Sequence, residues 1–213
     1  MSWQPSYATA ADLASWRGID PDDPALALAT EAASRAIDKA TGRQFGVADE
    51  PVARFYHPDR PRHEHRHFGY LPYFGGGYLR HRHGVDIDDL MTTDGLEVLV
   101  DVGGAYQSVT DFDLTPLNGA ANGRPWTRLE TTTPLHGRVQ ITATWGWTAA
   151  PDAVKLATLI QGSRFYERRE SPAGAPTLNR VDDVEMRWSA GTADLDADVL
   201  ASIAPFRRLW AAV

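Results

Sequence analysis

Apolar residues recur at helical spacing early in the chain and at alternate positions through its middle, so the sequence divides into helical ends and a stranded centre. Leu26, Ala29, Ala33, Ala36, Ile37 and Ala40 fall on one stripe of a helix. Asp23 suits its N-cap, Pro24 its first position and Gly42 its stop. The stripe is narrow and mostly alanine, which predicts close approach by a neighbouring backbone. A shorter helix over 10–17 precedes it, with Thr9 as N-cap, Asp12 three residues on and Gly18 as its end. Leu13 and Trp16 are expected to share a face of that helix.

Beyond Val52 the period shortens. The turn dipeptides Asp94-Gly95, Gly103-Gly104 and Asn122-Gly123 punctuate expected strands over 96–100, 105–109 and 126–130. Phe112 and Leu114 alternate with acids between them. Val139, Ile141, Ala143 and Trp145 alternate with polar residues and predict a strand buried on one face. Helix returns after Pro151. Between Asp152 and Arg164 the only charge is Lys155, and Leu156, Ala157, Leu159 and Ile160 spread apolar surface around the axis. That predicts a central helix buried on several sides. A strand is expected over 184–188 and a short helix over 196–203, which Pro205 ends. The expected fold class is α+β: a small helical bundle interrupted by an antiparallel β insertion, one domain over 1–213, with an extended C-terminal tail over 205–213.

The chain of 213 residues contains no cysteine, which excludes disulfides, thiolate zinc sites and a cysteine nucleophile. The N-terminal residues show neither the basic start nor the apolar run of a signal peptide, and no stretch approaches the ~20 apolar residues of a membrane span. A net charge of −7 argues against a general nucleic-acid binder. The charge is uneven. Residues 54–83 hold six Arg against Asp59 and Glu64, together with six of the seven His. The stretch 57–84 therefore reads as a basic, His-, Tyr- and Gly-rich inserted loop.

Within it, His63-Glu64-His65-Arg66-His67 satisfies the H-E-x-x-H spacing of a zinc hydrolase. That motif works only on a helix, which sets both imidazoles on one face. Pro58, Pro61, Gly69 and Pro72 surround it, so no catalytic zinc site is expected. Asp194, Asp196 and Asp198 begin like a calcium loop, but Val199 stands where the turn glycine is needed and Pro205 where the bidentate acid is needed. Asp196 and Asp198 read instead as acids opposing a helix dipole. Asp86, Asp88 and Asp89 form a second acidic cluster, as do Asp182, Asp183 and Glu185, and solvated acids are the commoner reading of such groups. No catalytic residue, metal or cofactor is expected. In the tail, Phe206, Arg207, Arg208, Leu209 and Trp210 combine the residue types that anchor interfaces.

Several segments, taken in order, resemble a known family. They are Tyr7-Ala8-Thr9-Ala10-Ala11-Asp12-Leu13-Ala14-Ser15-Trp16, Ala32-Ala33-Ser34-Arg35-Ala36-Ile37-Asp38 and Thr41-Gly42-Arg43-Gln44-Phe45. Thr93-Asp94-Gly95-Leu96, Leu117-Asn118, Asn122-Gly123-Arg124-Pro125 and Trp145-Gly146-Trp147 through Pro151-Asp152-Ala153-Val154-Lys155 follow. Arg168-Arg169-Glu170-Ser171-Pro172 and Pro205-Phe206-Arg207-Arg208 complete the series. Together they resemble the head-to-tail adaptor (connector) proteins of long-tailed bacteriophages and gene-transfer agents, over nearly the whole chain except about 57–84.

The resemblance implies a non-catalytic ring, usually of twelve subunits, beneath the portal in the phage neck. It implies localisation in the virion, with assembly in the host cytoplasm. Expected partners are further copies of the chain, the portal protein and a neck stopper or tail-completion protein. Double-stranded DNA would pass through the ring without sequence-specific binding, and no membrane is involved. The tail, through Phe206, Arg207, Arg208, Leu209 and Trp210, is expected to dock on the portal and to order only there. The insert, through Arg60, Arg62, His65, Arg66, Tyr70, Tyr73, Tyr78 and Arg80, is expected to contact a neighbour in the neck. The alternatives are another neck or tail-completion protein and a metal-dependent hydrolase.

Overall fold

The computed structural model describes residues 4–59, 83–168, 178–181, 184–187 and 195–208. The chain forms two compact units: a helical one drawn from 4–46 and from 149 onward, and a stranded one over 47–148.

In the helical unit, α1 (Ala10–Arg17) begins with a reciprocal cap. The Thr9 hydroxyl accepts from the Asp12 amide at 3.0 Å, and the Asp12 carboxylate accepts from the Thr9 amide at 2.8 Å. Two donors that a helix start leaves open are thereby satisfied. The Thr9 amide and the Thr9 hydroxyl, both donating to the Asp12 carboxylate, hold its pKa below the usual carboxylate range. Leu13 and Trp16, three positions apart as expected for one face, differ in burial: Leu13 is buried and Trp16 is 54% exposed. The short helix packs along Ala10, Leu13 and Ala14.

α2 (Pro24–Thr41) is capped by the Asp23 side chain and ends at Gly42 with φ 65°, where a side chain would be strained. It buries Leu26, Ala29, Ala33 and Ile37, whereas Ala36 and Ala40 are not fully buried. Thr30, Ser34 and Thr41 widen the buried stripe. Their hydroxyls donate to carbonyls one turn back at 3.1, 2.8 and 2.8 Å, and the Ser34 hydroxyl also accepts from the Tyr7 amide at 3.0 Å, which ties the segment before α1 to α2.

α3 (Asp152–Arg168) is buried along Val154, Ala157, Thr158, Gln161 and Gly162, a single stripe at helical spacing. Leu156 is exposed, so the helix is not enclosed on several sides as its composition predicts. Small and polar residues, rather than leucines, line the buried stripe because the contact with α2 is close. Tyr166 donates to Asp23 at 2.8 Å, and Arg17 reaches the Ser163 carbonyl and the Glu167 carboxylate at 3.1 and 2.7 Å, fixing the end of α3 against the other two helices. α4 (Ala197–Ile203) buries Val199 and Ile203.

The stranded unit contains β1 (Val52–Tyr56), β2 (His83–Leu90), β3 (Glu97–Val102), β4 (Ala105–Ser108), β5 (Phe112–Thr115), β6 (Trp126–Thr131) and β7 (Val139–Ala143). They make two antiparallel sheets, ordered β1-β7-β3-β4 and β2-β6-β5. One core joins them: Val98, Val100, Val139, Ile141 and Ala143 from the first sheet, Val85, Ile87, Leu90 and Leu129 from the second, and the fully buried Trp145. Each large aliphatic side chain there contributes about 1.5–3 kcal/mol. The alternation read from 139–145 is present. β2 was not among the expected strands: Val85, Asp86, Ile87 and Asp88 do alternate, but the run is short and breaks at Asp88-Asp89, where the register shifts between Asp86 and Leu90. A small hairpin, β8 (Leu178–Val181) with β9 (Val184–Arg187), follows in the helical unit. The fold is α+β with antiparallel sheets set between helical segments, and no helix among the described residues is long and apolar enough to cross a membrane.

Candidate functional site

Three places draw distant residues together. The first is an aromatic stack in the helical unit. The Phe206 ring stands edge-on to Phe45 with centroids 5.8 Å apart, and Phe45 stands edge-on to Tyr7 at 5.5 Å. Such pairs add about 0.5–1.5 kcal/mol beyond buried area. The Arg43 Nε donates to the Phe206 carbonyl at 2.7 Å, and the Arg208 amide donates to the Thr41 carbonyl at 2.8 Å.

The expectation that the tail leaves the bundle at Pro205 and orders only on binding is therefore corrected for its first residues. Pro205 lies in a 3-10 turn, Ala204–Phe206, that continues α4. Proline is accepted at the start of a helical turn because its missing amide needs no partner there. Phe206 is held by its ring and its carbonyl, and Arg208 by its amide. Arg207 is exposed, while Leu209 and Trp210 lie outside the described residues.

Beneath the stack, the Tyr7 hydroxyl donates to Asp38 and accepts from the Phe45 amide at 3.0 Å. Burial, reinforced by the bond to Asp38, raises the Tyr7 pKa, so the phenol stays a donor. Burial also raises the Asp38 pKa, against the opposing pull of Tyr7 and Arg35. Arg35 stands 3.1 Å from Asp38 and donates to the Pro5 carbonyl at 2.7 Å. The arrangement ties the segment before α1 to α2. It offers no nucleophile.

The second place is the root of the inserted loop. The Arg128 guanidinium lies 2.6 Å from Asp59, 2.8 Å from Asp86 and 3.3 Å from Glu130. Burial works against its charge, but the bonds to Asp86 and Asp59 outweigh that and hold its pKa above the ordinary arginine value. Asp59 donates its amide to the Gly84 carbonyl at 2.9 Å. The guanidinium lies over Gly84, where a Cβ would stand 2.0 Å from Arg128 Nη2 and would push the guanidinium aside. The two ends of the insert are thus closed by one backbone bond and one guanidinium. Spacing gives no sign of this, because Arg128 is 69 residues from Asp59 and 42 from Asp86. The predicted contact residues Arg60, Arg62, His65, Arg66, Tyr70, Tyr73, Tyr78 and Arg80 lie outside the described residues, as does the H-E-x-x-H stretch.

The third place is β2, where the three acids have separate tasks. Asp86 faces Arg128. Asp88 accepts from Arg54 at 2.7 Å and from the Tyr56 hydroxyl at 2.9 Å, and burial followed by this carboxylate raises the Tyr56 pKa. Asp89 is buried and accepts from the Trp147 indole at 2.8 Å. Asp196 precedes α4 and pairs with Arg164, and Asp198 lies in the first turn of α4, as acids at a helix start do. Asp194 lies outside the described residues. Among the described residues no group of three or more His, Asp or Glu is arranged to hold a metal ion. No protein-family model and no curated protein matches this chain.

Proposed function

We propose that this protein is a structural head-to-tail adaptor, forming a ring beneath the portal in the neck of a tailed phage and joining capsid to tail around the DNA passage. One observation carries the reading. Tyr7, Phe45 and Phe206 come from the first, third and last of the segments that resemble the adaptor family, and they meet in one stack. Segments selected by resemblance alone thus form one physical cluster, reinforced by the bonds from Arg43 to Phe206 and from Arg208 to Thr41. Helices drawn from both ends of the chain, with strands inserted between them, are the architecture that resemblance implies.

In this reading the helical unit fixes Phe206 and presents the residues after Arg208 to the portal. The basic insert, rooted at Arg128, reaches a neighbouring protein of the neck. The protein carries out no reaction and takes no cofactor; its partners are its own copies, the portal, a stopper or tail-completion protein, and DNA held without sequence preference. The acidic net charge disfavours adhesion to passing DNA. The test is to image the purified protein over a range of concentrations. Closed rings with an open centre are expected; a monomer at every concentration counts against the adaptor.

A further inference from the structure

We propose that copies of this chain join edge to edge through the four-stranded sheet, β4 of one copy pairing antiparallel with β1 of the next. The inference rests on the self-association in the reading above and identifies the surface that makes it.

The argument starts from strand direction. In the order β1-β7-β3-β4 every neighbouring pair is antiparallel. The two outer strands therefore run in opposite directions. Two copies set side by side in the same orientation bring β4 against β1 antiparallel, the pairing the sheet already uses. Such a contact uses a different patch on each copy, so it repeats, and it closes into a ring where the rotation between copies permits.

The edges themselves favour the contact. All four residues of β4 are exposed, so both of its faces are open and, among the described residues, it pairs only with β3. β1 likewise pairs only with β7 among them. Exposed edges template further pairing unless proline or outward charge blocks them. Neither strand contains proline, and β4 (Ala-Tyr-Gln-Ser) carries no charge. Arg54, the one charge in β1, is directed to Asp88 and over the Trp145 ring.

Apolar side chains stand ready on both strands. Val52 and Phe55 of β1 are 49% and 53% exposed, and Tyr106 of β4 is 41% exposed. The register places Phe55 in line with Gln140, Leu99 and Ser108, and Tyr106 opposite Asp101. Phe55 and Tyr106 therefore lie on the same outer face, opposite to Val98 and Val100, which enter the core. Joining the edges continues one aromatic-bearing face from copy to copy.

The chain has no cysteine, which makes a clean test. Ala53 and Phe55 share the outer face with Tyr106 and Ser108, whereas Gln107 lies on the other. Cross-strand neighbours meet the roughly 4.4–6.8 Å Cα separation of a disulfide. The pairs Ala53→Cys with Ser108→Cys, Ala53→Cys with Tyr106→Cys and Phe55→Cys with Ser108→Cys are oxidised at concentrations spanning those used for imaging, after circular dichroism shows wild-type folding. At least one is expected to give a ladder of dimers, trimers and larger species on a non-reducing gel. Ala53→Cys with Gln107→Cys is expected to give none, and each single variant to stay monomeric. Dimers from the single variants would mean twofold edge pairing and overturn the head-to-tail contact. Rings by imaging without a ladder from any same-face pair would overturn the edge contact and leave the adaptor reading standing. Neither rings nor ladder would overturn both.

Discussion

Replacing Gly84 with alanine is expected to lose the gain that substitution ordinarily brings in a strand. Alanine is favoured over glycine at such positions by about 0.5–1 kcal/mol. Gly84 does not occupy the left-handed region, so its backbone would accept a side chain. Its surroundings would not: the new Cβ would stand 2.0 Å from Arg128 Nη2 and 2.6 Å from Cζ. The guanidinium must swing away, and its contacts with Asp59 at 2.6 Å and Asp86 at 2.8 Å go with it. Those carboxylates are 49% and 67% exposed, so solvent screening limits each pair to about 0.2–1 kcal/mol.

Losing both costs about 0.4–2 kcal/mol, which offsets or exceeds the gain from alanine. In an Arg128→Ala background nothing opposes the methyl group, and Gly84→Ala becomes stabilising by about 0.5–1 kcal/mol. The two substitutions are thus coupled by about 0.4–2 kcal/mol. Urea unfolding of the four proteins, followed by fluorescence and circular dichroism, measures this. Equal effects of Gly84→Ala in the two backgrounds, within about 0.3 kcal/mol, would refute the placement of the guanidinium over Gly84.

Two further outcomes are expected. Burial raises the Asp38 pKa above its unfolded value, so the folded state holds that proton more tightly; the resulting stability is fully present below the unfolded pKa and is lost as pH rises through the folded one. Stability of the wild type relative to Asp38→Asn should therefore fall as pH rises above about 4, and urea midpoints that move in parallel from pH 3.5 to 7 would contradict this. Truncation after Pro205 should be less stable than truncation after Arg208 by at least about 0.5–1.5 kcal/mol, because it removes Phe206 from the aromatic stack; equal midpoints for the two truncations would show that Phe206 does not hold the helical unit together.

Local chemistry made part of the fold legible in the chain. The caps at Thr9 and Asp23 and the stop at Gly42 depend on residues within a few positions of one another, and each is found where the sequence places it. The alternation of Val139, Ile141 and Ala143 is likewise a local signal of a half-buried strand. β2 was hidden because its alternation lasts only from Val85 to Asp88 and breaks at Asp88-Asp89, where the register shifts. Which side of α3 would be buried was also hidden, since the helix carries apolar residues around its axis and the stripe is selected by its neighbours, as at Gly162, which lies against Leu13 of α1 and Ala29 of α2.

The candidate sites divide in the same way. The sequence by itself singled out Phe206, Arg207, Arg208, Leu209 and Trp210 in a short terminal segment, and 57–84 as a basic insertion. Only the tertiary structure decided that Phe206 closes a stack with Phe45 and Tyr7, and that Arg128 closes the root of the insert over Gly84. The physical reason is range. Capping and periodicity are set by bonds spanning three or four residues, whereas one guanidinium shared by Asp59 and Asp86, or one ring on another 161 positions earlier, exists only after two distant segments have been brought together by the burial of something else.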